Sequence, residues 1–279
     1  MSQPRRLVAT IMGSGTSTGC PPIGWDPPEE FAREPRNYRT RAGLLLREPA
    51  SAPEATRQAL LVDCGPDFYQ QALRHRIHRL DGMLLTHAHY DHIGGIDDLR
   101  IFNFRQKCAL PVFGRERDFA DLRARFSYIF GERLQEGGGV AQLDLRPIDG
   151  PFDFIGMRVR PLEVFHGLLP ILAFRFGDFA FVTDASRIEP TSMDEIRGCR
   201  VLVLNALRPK PHPTHFSLDE AVDVAREIGA EQTYFVHMTH LLEHNATNAL
   251  LPKGMQLAHD GLEFEFTPEP AASVPWERP

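Results

Sequence analysis

Short apolar runs separated by glycine, proline and charge set the rhythm of this chain. Leu7 to Met12 reads as a buried strand that enters a small-residue loop, Gly13-Ser14-Gly15-Thr16-Ser17-Thr18-Gly19. The stretch from Pro21 to Arg41 is rich in proline and charge and predicts irregular structure. Ala42 to Arg47 and Leu60 to Asp63 have strand length, with an exposed hairpin loop expected from Glu48 to Arg57. Pro66 opens a predicted helix through Arg74, with Phe68, Ala72 and Leu73 facing inward. Met83-Leu84-Leu85 is a short buried strand. Helices are expected from Ile96 to Phe104 and Glu116 to Phe126, a strand at Pro111 to Phe113, and a flexible turn at Gly137-Gly138-Gly139.

The second half has the same style. Strands are expected at Arg158 to Phe165, Ile171 to Phe176 and Phe179 to Thr183, with Gly177-Asp178 as a hairpin turn. Val201 to Leu204, Thr233 to Val236 and Leu262 to Phe266 complete the strands, and Ser217 to Ile228 is an amphipathic helix. Two strand-rich halves with outer helices predict an α/β fold, a four-layer αββα sandwich. No composition break divides it: residues 1–267 form one domain and the proline-rich tail 268–279 is expected to be loose.

A chain of 279 residues, 42% apolar and 24% charged, can bury a large core without disulfide staples. Its net charge of −6 argues against a broad basic surface for long nucleic acids. Cys20, Cys64, Cys108 and Cys199 are scattered, which suits reduced thiols in a cytoplasmic protein. Neither a secretory signal nor an apolar membrane span is predicted.

The chemistry concentrates in Thr86-His87-Ala88-His89-Tyr90-Asp91-His92, which follows Leu84-Leu85 and precedes Ile93-Gly94-Gly95. A strand ends there, a loop offers imidazoles and a carboxylate, and glycines turn the chain toward a helix. Such groups suit Zn²⁺ or Mn²⁺. Packed so closely, they cannot all serve one tetrahedral ion with an open position, whereas two neighbouring ions can share them. The competing reading is a histidine-rich surface loop.

H-x-H-x-D-H after a short strand resembles the signature of the metallo-β-lactamase superfamily, which has the αββα sandwich. The resemblance spans nearly the whole chain and implies a dinuclear site. Its remaining ligands, sought in order at strand ends, match His166 of Val164-Phe165-His166-Gly167, Asp184 of Phe181-Val182-Thr183-Asp184, and His237 of Tyr234-Phe235-Val236-His237. By resemblance His87, His89 and His166 hold one ion, Asp91, His92 and His237 the other, and Asp184 bridges them around a shared hydroxide. Asp63 resembles the first-motif aspartate, either orienting a ligand histidine or serving as a turn residue.

Thr214-His215-Phe216-Ser217 resembles the histidine motif of the phosphodiesterase branch, which includes transfer-RNA 3′-processing nucleases and phosphoribosyl cyclic phosphodiesterases. There the histidine protonates the leaving oxygen or stabilises charge. His215 and Asp91 are thus the candidate catalytic residues, and Ser217 a helix N-cap. His212 reads as loop surface. The 13–19 loop, Ala206-Leu207-Arg208, His237-Met238-Thr239-His240 and Gln256-Leu257-Ala258-His259-Asp260-Gly261 favour the cyclic phosphodiesterase group. Ser14, Thr16, Ser17 and Arg208 are candidates for holding phosphate, with Arg39 and Arg41 as further candidates for neutralising charge.

Many relatives carry cysteines for a structural zinc after the first loop. The corresponding Gly24-Trp25-Asp26-Pro27-Pro28-Glu29-Glu30 has none, so no cysteine-bound zinc is expected and His240 is left to support the site or line its pocket. Asn205 stands where an acidic residue is expected. The implied activity is metal-dependent hydrolysis of a small phosphodiester, a cyclic ribose phosphate among them, by a soluble protein with a homodimer as the family habit. The rivals are a thioesterase or lactonase of the same fold, a transfer-RNA 3′-processing nuclease, and a metal-dependent binding protein without turnover.

Overall fold

Strands covered on both faces read as unbroken apolar runs, because successive side chains enter different layers. Leu44 and Leu46 point into one buried cluster and Leu45 into another. Val201 and Val203 likewise share the first cluster, whereas Leu202 and Leu204 join a third. In this computed structural model, which describes residues 5–53, 57–131 and 139–272, these three clusters separate four layers.

One sheet contains β1 (Leu7–Gly13), β2 (Gly43–Arg47), β3 (Ala59–Val62), β4 (Gly82–Leu84), β5 (Leu110–Gly114) and β6 (Leu143–Pro147). The other contains β7 (Phe152–Phe154), β8 (Met157–His166), β9 (Leu169–Phe176), β10 (Phe179–Val182), β11 (Arg187–Ile188), β12 (Val201–Asn205), β13 (Gln232–Val236) and β14 (Met255–Leu257). The last strand, β15 (Glu263–Phe266), returns to the first sheet. The orders are β15-β1-β2-β3-β4-β5-β6 and β11-β8-β9-β10-β12-β13-β14, with β7 on β8. From β3 to β6, and from β10 through β12 to β14, neighbours are parallel. Their carboxyl ends, where ligands gather in α/β sheets, therefore share one edge of each sheet.

Phe174, Phe176, Phe179, Phe181 and Phe266 fill the space between the sheets. The helix Leu218–Ile228 packs Ala221, Val222, Ala225 and Ile228 on the second sheet. Ser217 begins it in a capping box with Glu220, as expected for an N-cap.

Several expectations need correction. The helix Phe68–Arg74 buries Phe68 and Gln71, whereas Leu73 is 61% exposed. Gln71 takes the inner place because its amide donates to Thr40 Oγ1 and the Arg41 carbonyl. The expected helix from Ile96 divides into a 3₁₀ turn, Ile96–Leu99, and an α-helix, Arg100–Gln106. The start of the tail is not loose: the Arg160 guanidinium pairs with both oxygens of Glu269, and Pro270 bridges Met157. Gly137, Gly138 and the rest of the tail beyond Ala271-Ala272 lie outside the described residues. Among the described residues no helix is long and apolar enough to cross a membrane.

Candidate metal centre

Each sequence-predicted ligand sits at or just past a strand end. Leu84 ends β4 before the His87–His92 segment, His166 ends β8, Asp184 follows β10, and His237 follows β13. Asp63, Asp184 and His237 adopt left-handed backbone, with φ of 62°, 61° and 58°. Non-glycine residues rarely occupy that region, and those that do concentrate at functional sites. The strands end so abruptly that the next side chain turns to the common edge.

The loop after β3 and the histidine segment approach too closely for a side chain between them. A Cβ on Gly65 would lie 2.2 Å from the Asp91 carbonyl oxygen, and one on Gly95 would lie 2.3 Å from that of Gly65. Hydrogen bonds from Cys64 N to His92 O and from Gly95 N to Cys64 O stitch these segments together.

The fold brings the predicted ligands together. Ligand atoms of His87, His89 and His166 lie within 4.8 Å of one another, as do those of Asp91, His92, Asp184 and His237. Asp184 Oδ2 is the common point. It lies 3.1 Å from His92 Nε2, 3.3 Å from His237 Nε2, 3.6 Å from His215 Nε2 and 3.8 Å from His87 Nε2. Asp91 Oδ2 is 3.3 Å from His237 Nε2 and 3.4 Å from His92 Nε2. The buried Nε2 atoms of His87 and His215 have no hydrogen-bond partner. Orphaned imidazole nitrogens converging on carboxylates are the donor set a divalent cation requires, so the residues fit a metal.

The electrostatics agree. Burial pushes the pKa of His87 well down, which favours the neutral form that metal binding needs. Burial also opposes charge on His92, but Asp184, Asp91 and Asp63 outweigh it and hold its pKa well up. Burial alone would raise Asp184 and Asp91, yet the surrounding histidines pull both well down. The cluster therefore demands positive charge among its carboxylates.

Supporting contacts fix the candidate ligands. Asp63 Oδ2 faces His92 Nδ1 at 2.7 Å and Thr86 Oγ1 at 2.8 Å, and its Oδ1 accepts from Thr86 N. His166 Nδ1 donates to the Thr214 carbonyl at 2.7 Å. Asn205 clamps the residue after Asp184: its Oδ1 accepts from Ala185 N at 2.7 Å and its Nδ2 donates to Ala185 O at 2.9 Å. An ionised aspartate there could not donate to the Ala185 carbonyl. Thr214, Asn205 and Asp260 are the supporting residues that pattern reading did not assign.

His215 stacks on His237 with centroids 4.8 Å apart, and its side chain is 11% exposed. Burial lowers its pKa to about 4. His212, read as surface, instead reaches His215 Nδ1 at 3.3 Å.

The expected phosphate contacts fare unevenly. Ser14 is fully buried, and both its amide and hydroxyl donate to Asp260 Oδ1. Asp260 Oδ2 accepts the amide and hydroxyl of Thr40. Thr16 is buried beside Met238, and Ser17 is exposed. Arg208 braces its own loop through the carbonyls of Lys210 and Pro211. Arg39 donates to Thr239 O and Leu242 O, while Arg41 pairs with Asp67. The 13–19 loop thus supports His237: Met238 N donates to Ser14 O, and Thr16 N to Met238 O. His240 packs on Trp25, with ring centroids 4.5 Å apart.

Residues 58–238 match the beta-lactamase superfamily domain, and the chain belongs to that superfamily. A solved structure described as a new diphosphatase from the PhnP family aligns with 94% of this chain and 97% of its own, at 38% identity and a TM-score of 0.85. That likeness places the chain in the PhnP family, within the phosphodiesterase branch. A ribonuclease Z from Methanopyrus kandleri is 28% identical over 244 residues, covering 74% of this chain and 83% of the relative. An octanoyltransferase from Porphyromonas gingivalis is 36% identical over 256 residues, 91% of this chain but 50% of the relative. The chain thus spans about half the length of that relative.

Proposed function

We propose that the protein hydrolyses a small phosphodiester, a cyclic ribose phosphate among the candidates, at a centre of two divalent ions, Zn²⁺ or Mn²⁺. His87, His89 and His166 would hold one ion, Asp91, His92 and His237 the other, with Asp184 shared. Ions so held lower the pKa of water and neutralise phosphate oxygens.

The chain's own residues do the rest. Asp63 keeps His92 Nε2 directed at the site by engaging Nδ1. The Thr214 carbonyl does the same for His166. His215 takes a proton from solvent water at Nε2 and hands it to the departing oxygen. Burial disfavours its charged form, and an arriving phosphate anion favours it. Buried Thr16 and exposed Ser17 are the remaining loop candidates for holding phosphate.

The observation that carries the reading is a buried His215 Nε2 that makes no hydrogen bond and faces Asp184 Oδ2 of the histidine–aspartate cluster at 3.6 Å. A thioesterase has less use for such an acid, because a thiolate leaves readily, whereas an alkoxide must be protonated. The free cysteines suit the reducing cytoplasm. With a net charge of −6, a small ester suits the protein better than a long nucleic acid.

A second reading has its own support: the PhnP-family structure at 38% identity is described as a diphosphatase. A departing phosphate needs no proton at neutral pH, so His215 separates the two. The test is metal analysis followed by a panel of cyclic ribose phosphates, bis-nitrophenyl phosphate, a diphosphate, transfer-RNA precursor, a lactone and an octanoyl thioester. We expect His215→Ala to keep its metal and lose roughly a hundredfold or more in kcat on alkyl diesters. Retained turnover of diphosphate alone would establish the second reading, and turnover confined to thioester or lactone would end both.

A further inference from the structure

Residues 212 to 215 carry more than the one imidazole that the proposed reaction uses. His215 Nδ1 faces Thr214 Oγ1 at 2.9 Å and His212 Nδ1 at 3.3 Å, and Thr214 Oγ1 lies 3.1 Å from His212 Nδ1. His212 Nδ1 also accepts the backbone N–H of Thr214 at 3.3 Å. A ring nitrogen that accepts a backbone N–H presents its lone pair there and carries no proton. Burial and nearby Arg208 lower the pKa of His212, which favours this neutral acceptor form.

The proton count then fixes the neighbour. Were His215 Nδ1 also bare, two ring lone pairs would face each other at 3.3 Å, whereas a proton on His215 Nδ1 turns that contact into an attractive one. With the proton on His215 Nδ1, its contacts with Thr214 Oγ1 and His212 Nδ1 each have a donor. His215 Nδ1–H donates to Thr214 Oγ1, and Thr214 Oγ1–H donates to His212 Nδ1. Neutral His215 is then bare at Nε2, the buried atom that makes no hydrogen bond and faces Asp184 Oδ2 at 3.6 Å.

The geometry assigns His212 as a positioning residue that acts through Thr214 to hold His215 in the Nδ1–H tautomer, with its bare Nε2 turned toward Asp184. Thr214 extends the control, since its carbonyl receives His166 Nδ1–H. One loop residue thus orients both a candidate ligand and the proton carrier. Arg208 braces the loop from the other side by donating to Lys210 O and Pro211 O.

The kinetic part of this inference rests on the phosphodiester reading, so the experiment has an independent arm. Multiple-bond proton–nitrogen spectra of the metal-loaded, ¹⁵N-histidine-labelled full chain, with His215 assigned by His215→Ala, report the tautomer directly. We expect a protonated Nδ1 and a bare Nε2 in the wild type, mixed forms in His212→Ala, and recovery in His212→Gln, whose side-chain carbonyl supplies an acceptor. On a diester with an alkoxide leaving group, His212→Ala should lose roughly ten- to a hundredfold in kcat at unchanged KM and metal content. It should lose little on nitrophenyl esters, and His212→Gln should regain most of the deficit. A wild-type His215 protonated at Nε2, an unchanged tautomer in His212→Ala, or equal losses on both leaving groups would overturn the assignment. A wild type inert toward all phosphodiesters would instead remove the proposed function, while the spectra would still decide the tautomer.

Discussion

Replacing Asp63 by asparagine changes one atom that touches no substrate, yet it should disable a ligand. The wild-type carboxylate receives donors at both oxygens: Thr86 N on Oδ1, and Thr86 Oγ1 with His92 Nδ1 on Oδ2. Asparagine has one oxygen for these three donors. If that oxygen stays on Thr86 N, the amide NH₂ meets His92 Nδ1, which must then become the bare nitrogen. Its proton moves to Nε2, the atom directed at Asp184 and the site. If the amide turns over, the NH₂ faces the buried Thr86 N–H and leaves it unsatisfied, at a cost of roughly 1–3 kcal/mol. Either way the affinity for the ion held by His92 should fall about ten- to a hundredfold, or about 1.4–2.7 kcal/mol. Competition against a chromophoric chelator measures this, with circular dichroism to verify the fold. Affinity within twofold of wild type would show that Asp63 does not govern the His92 tautomer.

Further tests follow from other buried groups. Asn205→Asp sets an oxygen against the Ala185 carbonyl and should cost about 2–4 kcal/mol in urea unfolding at pH 8, less at pH 5; stability within about 0.5 kcal/mol of wild type would refute the two-way clamp. Burial raises Asp118, which is 4% exposed, from 3.8 to about 6. Its folded state holds a proton that the unfolded chain has lost, so stability is full below pH 3.8 and falls until pH 6 is passed. Asp118→Asn should therefore be more stable by about 2–3 kcal/mol at pH 7.5 and converge with wild type near about pH 4, whereas parallel pH profiles would count against this. Removing metal with a chelator should lower the melting temperature, because ions at a hundredfold their Kd add about 2.7 kcal/mol each. Identical melting with and without Zn²⁺ or Mn²⁺ would dismiss the metal centre.

How much of this was legible in the chain depended on how local each signal was. Leu44-Leu45-Leu46 and Val201 to Leu204 announce strands buried on both faces, and the His87–His92 segment announces its chemistry within one turn. Strand β6, Leu143–Pro147, went unread because its residues are only partly buried and it ends in proline. Strand β14, Met255–Leu257, is too short to show a period. Hydrophobicity alone points Leu73 inward, but hydrogen bonds to the 40–41 segment give the inner place to Gln71. The histidine motif pointed to His215, whereas the part played by Thr214 rests on where its carbonyl and hydroxyl fall once β8 lies alongside. Ser14 illustrates the remaining difficulty. Its hydroxyl looked available for phosphate, and only folding reveals a partner 246 positions away.

That distant partner also governs when the molecule becomes competent. Every candidate ligand has been synthesised by His237, but β15 and Asp260 come later. Until they arrive, β1 has an open edge and the 13–15 and 40 segments lack the carboxylate that ties them. A nascent chain at residue 250 would therefore possess the whole set of donors without the frame that holds them, so secure capture of metal would await the final strand.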